Sequence, residues 1–251
     1  MHRYFIFLQY KGTAYHGWQK QPNAVTVQQV LEDKLSVLLK SKIETTGAGR
    51  TDTGVHAREF AAHFDLEFPL PEKEHFLYKI NSLLPYDISA LDIREVMSQA
   101  NARFDAISRT YEYHLSTVKD PFRTEYAFFY PWKLDIEKMN EASAKLFLYN
   151  DFTSFSKLHT DVKTNNCKVV FANWENSNNQ IVFTITADRF LRNMVRAIVG
   201  TLIEVGKNKI SIEEFCEIIE KKDRCSAGTS VPAHGLYLTK IDYPLSVLLQ
   251  P

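Results

Sequence analysis

The sequence predicts an α+β protein built from two α/β halves, and three observations support this class. Of its 251 residues, 45% are hydrophobic and 24% are charged, a balance typical of a globular protein with a sizeable core. Segments with strand-like alternation are separated by segments with helical spacing. The order strand, helix, strand, strand, helix, strand occurs roughly twice, before and after about residue 105, without a matching sequence repeat. We therefore expect two domains, residues 1–105 and 106–251, each with an antiparallel or mixed sheet covered by helices.

The N-terminal half begins with a strand over residues 3–10, where Tyr4, Ile6, Leu8 and Tyr10 alternate with their neighbours. Thr26 with Gln29 predicts a capping box at the start of a helix. The apolar face of that helix is predicted from Val27, Val30, Leu31, Leu35 and Leu38. A short strand then leads into a glycine-rich loop, followed by a strand over 61–68, a helix over 72–84 and a strand over 88–96.

The C-terminal half is predicted to contain a strand over 110–117, a helix over 135–147, and two strands over 167–174 and 180–187. Residues 177–180, SNNQ, have the chemistry of a hairpin turn between those two strands. A strong helix is predicted from about 189 to 205, with Leu191, Val195, Ile198 and Leu202 on its apolar face and Gly206 as its C-terminal cap. Ser211 with Glu214 predicts a second capping box, and residues 236–243 a closing strand.

Composition limits the cellular context. The net charge is zero, which argues mildly against nucleic-acid binding unless positive charge is concentrated locally. No apolar run is long enough to cross a membrane, and the N-terminus lacks the pattern of a signal peptide. The cysteines, Cys167, Cys216 and Cys225, are odd in number and scattered, as in a reducing compartment. We expect a cytoplasmic protein without a membrane partner.

The stretch GAGRTDTGVHA, Gly47 to Ala57, is the first candidate for a functional site. Asp52 follows Arg50 by two residues and lies among glycines, which let a ligand approach the backbone. Such an acid beside a cation suits chemistry, although on this stretch alone a surface turn with an ordinary arginine–aspartate pair is an equal alternative.

Motifs for other chemistries are absent. The sequence has no GKS or GKT phosphate-binding loop, no GxGxxG opening a helix and no HExxH. Five histidines that show no metal-ligand spacing are His63, His75, His114, His159 and His234. We therefore predict neither a metal nor a cofactor.

A series of motifs in order resembles the TruA family of tRNA pseudouridine synthases. GRTDTGVHA is similar to the family's catalytic-aspartate motif, and YKGTAYHGWQKQ, Tyr10 to Gln21, to its N-terminal motif. The later matching blocks are LPYDI (84–88), NARFDAISRTYEY (101–113), DFTSFSK (151–157), FLRNMVRAIVGTLIEVG (190–206) and PAHGLYL (232–238). The chain departs from the pattern at Lys11 and at the REF segment, Arg58 to Phe60. These departures affect what the resemblance implies about the range of substrates, and they do not affect what it implies about the reaction.

The resemblance implies a pseudouridine synthase fold: two similar halves that share a mixed sheet, with the active site in a central cleft. It also implies a substrate, the anticodon stem-loop of tRNA at uridines 38, 39 and 40, and a homodimer. The N-terminal half would carry the aspartate loop, and the C-terminal half the tyrosine and arginine of the site.

By the same resemblance, Asp52 is the nucleophile, Arg196 its partner, and Tyr111 the residue that lies against the target base. A nearby cation keeps a carboxylate ionised at neutral pH, and an aromatic face suits a flipped base. Arg50, as well as Arg189 and Arg192 on the predicted helix face shared with Arg196, are candidates for substrate binding; for the last two a solvated face is an equal alternative. His56 is expected to have a structural or RNA-contacting role.

Two other functions remain alternatives. A non-catalytic RNA-binding module would also suit repeated α/β halves with aromatic strands, but it has no need for an acid in the glycine loop. A glycosidase or nucleoside hydrolase usually needs a second carboxylate, and none is evident in the matched blocks.

Overall fold

The strands and helices of the computed structural model, which describes residues 1–70, 72–157 and 164–247, confirm the predicted α+β class. The strands are β1 (His2–Tyr10), β2 (Thr46–Gly47), β3 (His56–Leu66), β4 (Ile88–Val96), β5 (Ser108–Ser116), β6 (Phe128–Phe129), β7 (Val169–Ser177), β8 (Gln180–Ala187) and β9 (Leu236–Asp242). The helices are α1 (Val27–Leu39), α2 (Lys73–Leu83), α3 (Ile136–Lys145), α4 (Met194–Gly206) and α5 (Ile212–Glu220). The chain divides into two units: Met1–Ile107 with the C-terminal residues from Leu238, and Ser108–Tyr237.

In the first unit, β1 is the central strand, paired antiparallel with β4 on one side and with β3 on the other. Residues Leu238–Asp242 of β9 lie beside β3. The alternation in residues 3–10 predicted one buried face, but Phe5 and Phe7 are buried as well as Ile6 and Leu8. A central strand that is covered on both faces reads as a continuous apolar run, and β1 therefore forms the core of this unit.

Helix α1 begins as predicted at Thr26, whose side chain accepts a hydrogen bond from the amide of Gln29. The Gln29 side chain, however, reaches Asp33. The helix also buries two polar residues that the apolar pattern did not predict, Gln28 and Glu32. They stand one turn apart on the same face and make a polar network beside the glycine loop.

The second unit has its own antiparallel ladder, in the order β5, β8, β7, with β6 parallel to β5. The predicted hairpin turn between β7 and β8 is confirmed: Asn178 and Asn179 both have positive φ, at 50° and 62°. The capping box of α5 is also confirmed, because Ser211 and Glu214 each accept a hydrogen bond from the other's backbone amide.

The predicted start of the long second-unit helix is wrong. Helix α4 begins at Met194, because Asn193 before it is left-handed at φ 67° and donates its side-chain amide to Ser230 Oγ at 2.6 Å. Arg189 and Arg192 therefore do not share a helical face with Arg196. Gly206 is the last residue of the helix rather than its cap, and an added Cβ would overlap the Met139 side chain of α3.

The edge strands β4 and β7 each bind the side chain of an asparagine from a neighbouring helix. Asn81 of α2 donates to the carbonyl of Ala90 in β4 at 2.9 Å and accepts from its amide at 2.8 Å. Asn140 of α3 does the same to Trp174 in β7, at 3.0 and 2.7 Å. Each asparagine satisfies a backbone pair that would otherwise offer a template to another strand, so both edges are protected against aggregation.

The cysteines are reduced thiols in the described chain, where Cys167 is buried and Cys225 exposed. Burial raises the pKa of the Cys167 thiol to about 12. None of the described helices is long and apolar enough to cross a membrane.

We predict that His63 makes the stability of the protein depend on pH. Its Nδ1 accepts the amide of Ala102 at 3.1 Å, and burial, aided by the Arg3 cation, lowers the pKa of the imidazole below its ordinary value of 6.5. The unfolded chain therefore takes up this proton first, and the free energy of unfolding falls as the pH drops below about 6.5. His63→Asn keeps an acceptor but does not titrate. Urea unfolding between about pH 7.5 and pH 5 should show a shallower loss in this variant, and an identical pH dependence would contradict the assignment.

Candidate active site

Asp52 lies in the connection between β2 and β3. Strand β3 begins at His56, five residues before the predicted start at Ala61. A tight turn closes on the acid, with the Val55 amide donating to the Asp52 carbonyl at 3.1 Å. Gly54 makes this turn possible, since its φ of 80° is one that residues with a Cβ rarely adopt. Asp52 is partly exposed, so its carboxylate is not confined to the core.

The N-terminal motif packs against this loop through glycines. A Cβ on Gly12 would overlap the Val55 carbonyl, and a Cβ on Gly17, which has φ 83°, would overlap the carbonyl of Thr51. The backbone amide of Trp18 then donates to that Thr51 carbonyl at 3.3 Å. Two motifs that are distant in sequence thus form one backbone-to-backbone contact around Asp52.

An aromatic cluster supports the loop from behind. Trp18 is 1% exposed and stacks on Phe60 with ring centroids 4.1 Å apart. Tyr10 lies on both rings, and its hydroxyl pairs with Thr51 Oγ1 at 2.9 Å. The residue directly before Asp52 is therefore fixed through its side chain as well as through its carbonyl.

His56 lies inside the protein, with only 2% of its surface exposed. Its Nδ1 accepts the backbone amide of Gly12 at 3.0 Å, which ties the N-terminal motif to the start of β3. This geometry favours the structural one of the two roles expected for His56. Of the REF segment, Glu59 accepts the amide of Ile241, Phe60 is core, and Arg58 is exposed.

Arg50, two residues before Asp52, is exposed and lines a small pocket of about 110 Å³. The pocket also has a second arginine, Arg103, in its wall. The remaining lining residues are Gln19, Gln28, Thr45, Thr46, Gly47 and Gly49. Of these two arginines, the sequence identified Arg50 as a candidate for substrate binding. The one available signal was the pair of polar residues, Gln28 and Glu32, within an otherwise apolar helix face.

Tyr111 and Tyr113 alternate on β5 and have different surroundings. Tyr113 is fully buried and donates its hydroxyl to the Pro232 carbonyl at 2.8 Å, so it belongs to the core. Tyr111 is partly exposed, and its ring lies nearly perpendicular to that of Phe190, with the ring centroids 5.1 Å apart.

Arg196 lies in the first turn of α4 and is anchored to a neighbouring segment. Its Nε donates to the Val231 carbonyl at 2.8 Å, and its own carbonyl accepts the Val231 amide at 3.2 Å. Gly200 allows this segment to run along α4, because an added Cβ would overlap the Thr229 carbonyl. Burial, with the Arg196 cation as a further cause, lowers the pKa of His234. The Arg196 side chain is thus anchored to a neighbouring segment of its own unit.

Arg189 and Arg192 lie in the irregular segment before α4. Arg192 is exposed, and its carbonyl accepts the amide of Lys157 at 3.0 Å. Arg189 is partly exposed, and its amide donates to Asp188 Oδ1 at 2.7 Å. Among the described residues no group of three or more histidine, cysteine or acidic side chains could hold a metal ion, and His159 lies outside the described residues.

Fold and motifs define a class of protein, and comparison with known sequences identifies it. The model of the family described as tRNA pseudouridine synthase matches residues 6–105 and 144–244. The chain belongs to this family of isomerases, and the predicted membership is confirmed.

Curated relatives are similar over nearly the whole length. A protein of Parabacteroides distasonis named tRNA pseudouridine synthase A is 55% identical, with 97% of each chain covered. A Porphyromonas gingivalis protein of the same name is 54% identical over 99% of this chain and 100% of its own. The protein of that name from Bacillus subtilis is 39% identical over 94% of this chain and 97% of its own.

We predict that Gly17→Ala disrupts the Asp52 loop, whereas Gly49→Ala does not. The first change combines a left-handed φ with a clash against the Thr51 carbonyl and should cost about 2 kcal/mol or more of unfolding free energy. At Gly49 an added Cβ meets nothing within 4 Å, so the change should stay within about 0.5 kcal/mol. Urea denaturation followed by circular dichroism measures both, and equal losses would refute the proposed packing.

Proposed function

We propose that this protein converts uridine to pseudouridine in the anticodon stem-loop of tRNA, at positions 38, 39 and 40. The observation that carries the proposal is the partly exposed Asp52, held on a glycine turn by a second family motif, in a chain that matches the family over both halves. An acid built into the protein in this way suits a nucleophile.

The reaction needs one carboxylate and no redox change. The bond between uracil N1 and ribose C1′ breaks, the base turns within the site, and C5 joins C1′. C5 loses its proton to solvent, and N1 takes up a proton in exchange. Asp52 assists by adding to the base or by attacking C1′ of the sugar, and the bond that it forms is broken again before the product leaves, so that the free carboxylate is regenerated. The reaction thus proceeds without a metal or cofactor in our proposal.

We assign Arg196 and Tyr111 to the same site. In this assignment the guanidinium of Arg196 pairs with the Asp52 carboxylate. Tyr111 presents its ring to the extruded uracil, and stacking is a base-tolerant way to hold a flipped nucleotide. The anchoring of Arg196 on Val231 and the edge contact of Tyr111 with Phe190 support these roles, since both side chains are preorganised.

The domain that carries Asp52 is, in this proposal, residues 1–105, and the domain that carries Tyr111 and Arg196 is residues 106–251. Arg50, Arg189 and Arg192 contact the RNA backbone, and the exposure of Arg50 and Arg192 supports this role. His56 serves the substrate by holding the Gly12 segment in place.

We further propose a homodimer that works in the cytoplasm, where tRNA is matured. A zero net charge supports the first part, since two copies can combine local positive regions into one RNA-binding surface. The family resemblance supports both parts.

We predict that Asp52→Asn abolishes turnover but preserves the fold and tRNA binding. The amide is nearly isosteric with the carboxylate but is a far weaker nucleophile. Tritium release from tRNA labelled at uracil C5 measures turnover, and filter binding measures affinity. Asp33→Asn, which alters an exposed acid of α1, is the matched control and should release tritium at the wild-type rate. Release by Asp52→Asn at a near wild-type rate would refute the mechanism.

We predict opposite outcomes at the two tyrosines of β5. Tyr111→Leu removes the stacking face and should lower kcat/KM about ten-fold or more, because stacking contributes roughly 1–3 kcal/mol per base. Tyr111→Phe restores the ring and thereby separates stacking from proton transfer by the phenol. Tyr113→Phe loses only the bond to Pro232, so it should cost about 1 kcal/mol of stability and leave turnover intact. A loss of turnover at Tyr113 alone would reverse the assignment.

A further inference from the structure

The segment that anchors Arg196 runs alongside α4 in the opposite direction. At one end the Gly228 amide donates to the Thr201 hydroxyl at 2.9 Å, and at the other the Val231 amide donates to the Arg196 carbonyl at 3.2 Å. These two contacts determine where the Val231 carbonyl lies, and that carbonyl is the acceptor for Arg196 Nε at 2.8 Å. The direction of the Arg196 guanidinium therefore depends on the conformation of residues 227–231.

A second arginine, Arg224, binds three oxygens of this segment. Its Nη1 donates to the carbonyls of Gly228 at 3.2 Å and of Ala227 at 3.4 Å, and its Nη2 donates to Ser230 Oγ at 2.8 Å. A planar guanidinium holds several donors in fixed directions, which the single ammonium group of a lysine does not. The three bonds therefore restrict the conformation of the segment.

Ser230 connects Arg224 to the start of α4. Its hydroxyl oxygen accepts from Arg224 Nη2 at 2.8 Å and from the Asn193 side-chain amide at 2.6 Å. Asn193 is the left-handed residue directly before the helix. Arg224 is thus linked to both supports of Arg196, which are the segment beside it and the turn that precedes its helix.

The turn that carries Arg224 is tied to the core of the unit. The Asp223 carboxylate accepts from the Cys225 amide at 2.9 Å and from the Ser226 hydroxyl at 3.3 Å. The Asp223 amide donates to Ser154 Oγ at 3.0 Å, and Ser154 is fully buried. Arg224 therefore binds the segment from a position that is itself restrained.

We propose that Arg224 is a positioning residue for the isomerisation, because it holds residues 227–231 so that the Val231 carbonyl directs the guanidinium of Arg196. The proposal rests on the proposed function, in which Arg196 acts in the reaction. Arg224 contacts no reacting atom in this proposal, and its effect passes through Arg196. A displacement of about 1 Å in a reacting group can lower a rate by about a hundred-fold, so such support is measurable.

The first experiment observes the Nε–H group of Arg196 by NMR of isotope-labelled arginine side chains, without reference to activity. The signal is assigned by its absence in Arg196→Lys. In Arg224→Lys its exchange with solvent should be about ten-fold faster than in the wild type, because one ammonium group does not replace three directed bonds. Lys209→Ala, which removes an exposed cation paired with Glu204 of the same helix, is the control and should leave the signal unchanged.

The second experiment measures single-turnover tritium release at several tRNA concentrations, which separates the rate of reaction from the apparent affinity. Arg224→Lys should lower the rate about ten-fold and change the affinity less than about two-fold, since Arg224 does not hold the substrate. In the Arg196→Lys background, which has no Nε–H to direct, the same change should lower the rate no further. In the Tyr111→Phe background its effect should remain in full.

Arg224→Ala distinguishes positioning from charge. It removes the cation as well as the bonds, and it should resemble Arg224→Lys in both experiments. A phosphate contact would instead survive in Arg224→Lys, which keeps the charge, and would be lost only in Arg224→Ala. That pattern would overturn the positioning role. An unchanged Arg196 signal in Arg224→Lys, or equal losses of rate in the Arg196→Lys and Tyr111→Phe backgrounds, would overturn it as well.

The outcome is separable from that of the proposed function. No tritium release by the wild type, together with an Arg196 signal that depends on Arg224, would refute only the isomerase. Release by the wild type, together with a signal that Arg224 does not affect, would refute only the positioning role.

Discussion

The contact between two backbones at Thr51 is the constraint on which the candidate active site depends. Gly17 can approach the Thr51 carbonyl because it has no Cβ, and the Trp18 amide can then donate to that oxygen. The Tyr10 hydroxyl fixes the Thr51 side chain from the core. A nucleophile needs a defined direction, and a loop of small residues is not rigid by itself. The N-terminal motif supplies that rigidity to Asp52, which explains why two distant glycine-containing segments occur in one chain.

In the second unit the side chain of Arg196 is also held in place, in this case by a neighbouring backbone segment. Arg196 projects from the first turn of a helix, and its guanidinium is oriented by a carbonyl of the segment that runs alongside. Gly200 admits that segment as Gly17 admits the Trp18 turn. In both units a side chain to which we assign a role in the reaction therefore lies near a close backbone approach that an added Cβ would obstruct. Where two backbone segments lie this close together, the neighbouring side chain has few accessible conformations. Such a side chain loses less conformational entropy on binding a ligand than a side chain on a mobile loop would.

Much of the fold and the family were predictable from the sequence, whereas the roles of the site residues remain predictions, and the errors in the fold have physical causes. Alternation of apolar residues predicted the bounds of β4 and β8, and capping chemistry predicted the start of α5. These predictions agree with the structure because both signals depend on residues that are close in sequence. The start of α4 was missed because Asn193 adopts a left-handed conformation that its bond to Ser230 stabilises, and that partner is remote in sequence. The burial of Gln28 and Glu32 was missed for the same reason, since their partner Thr45 lies on another segment. Asp52 was predicted from a family motif, and the pocket beside it only from coordinates.

The zero net charge of the chain is compatible with an RNA substrate once charges are considered by location. Lys20 and Glu32 form a pair in the network below the pocket, so neither contributes strongly to its field. Asp65 is likewise matched by Arg3, and their contact lowers the pKa of the carboxyl and raises that of the guanidinium. Arg50 and Arg103 both line a pocket whose lining includes no acidic side chain. A neutral protein can therefore attract phosphate where its acids are satisfied internally, and local pairing decides more than the net count.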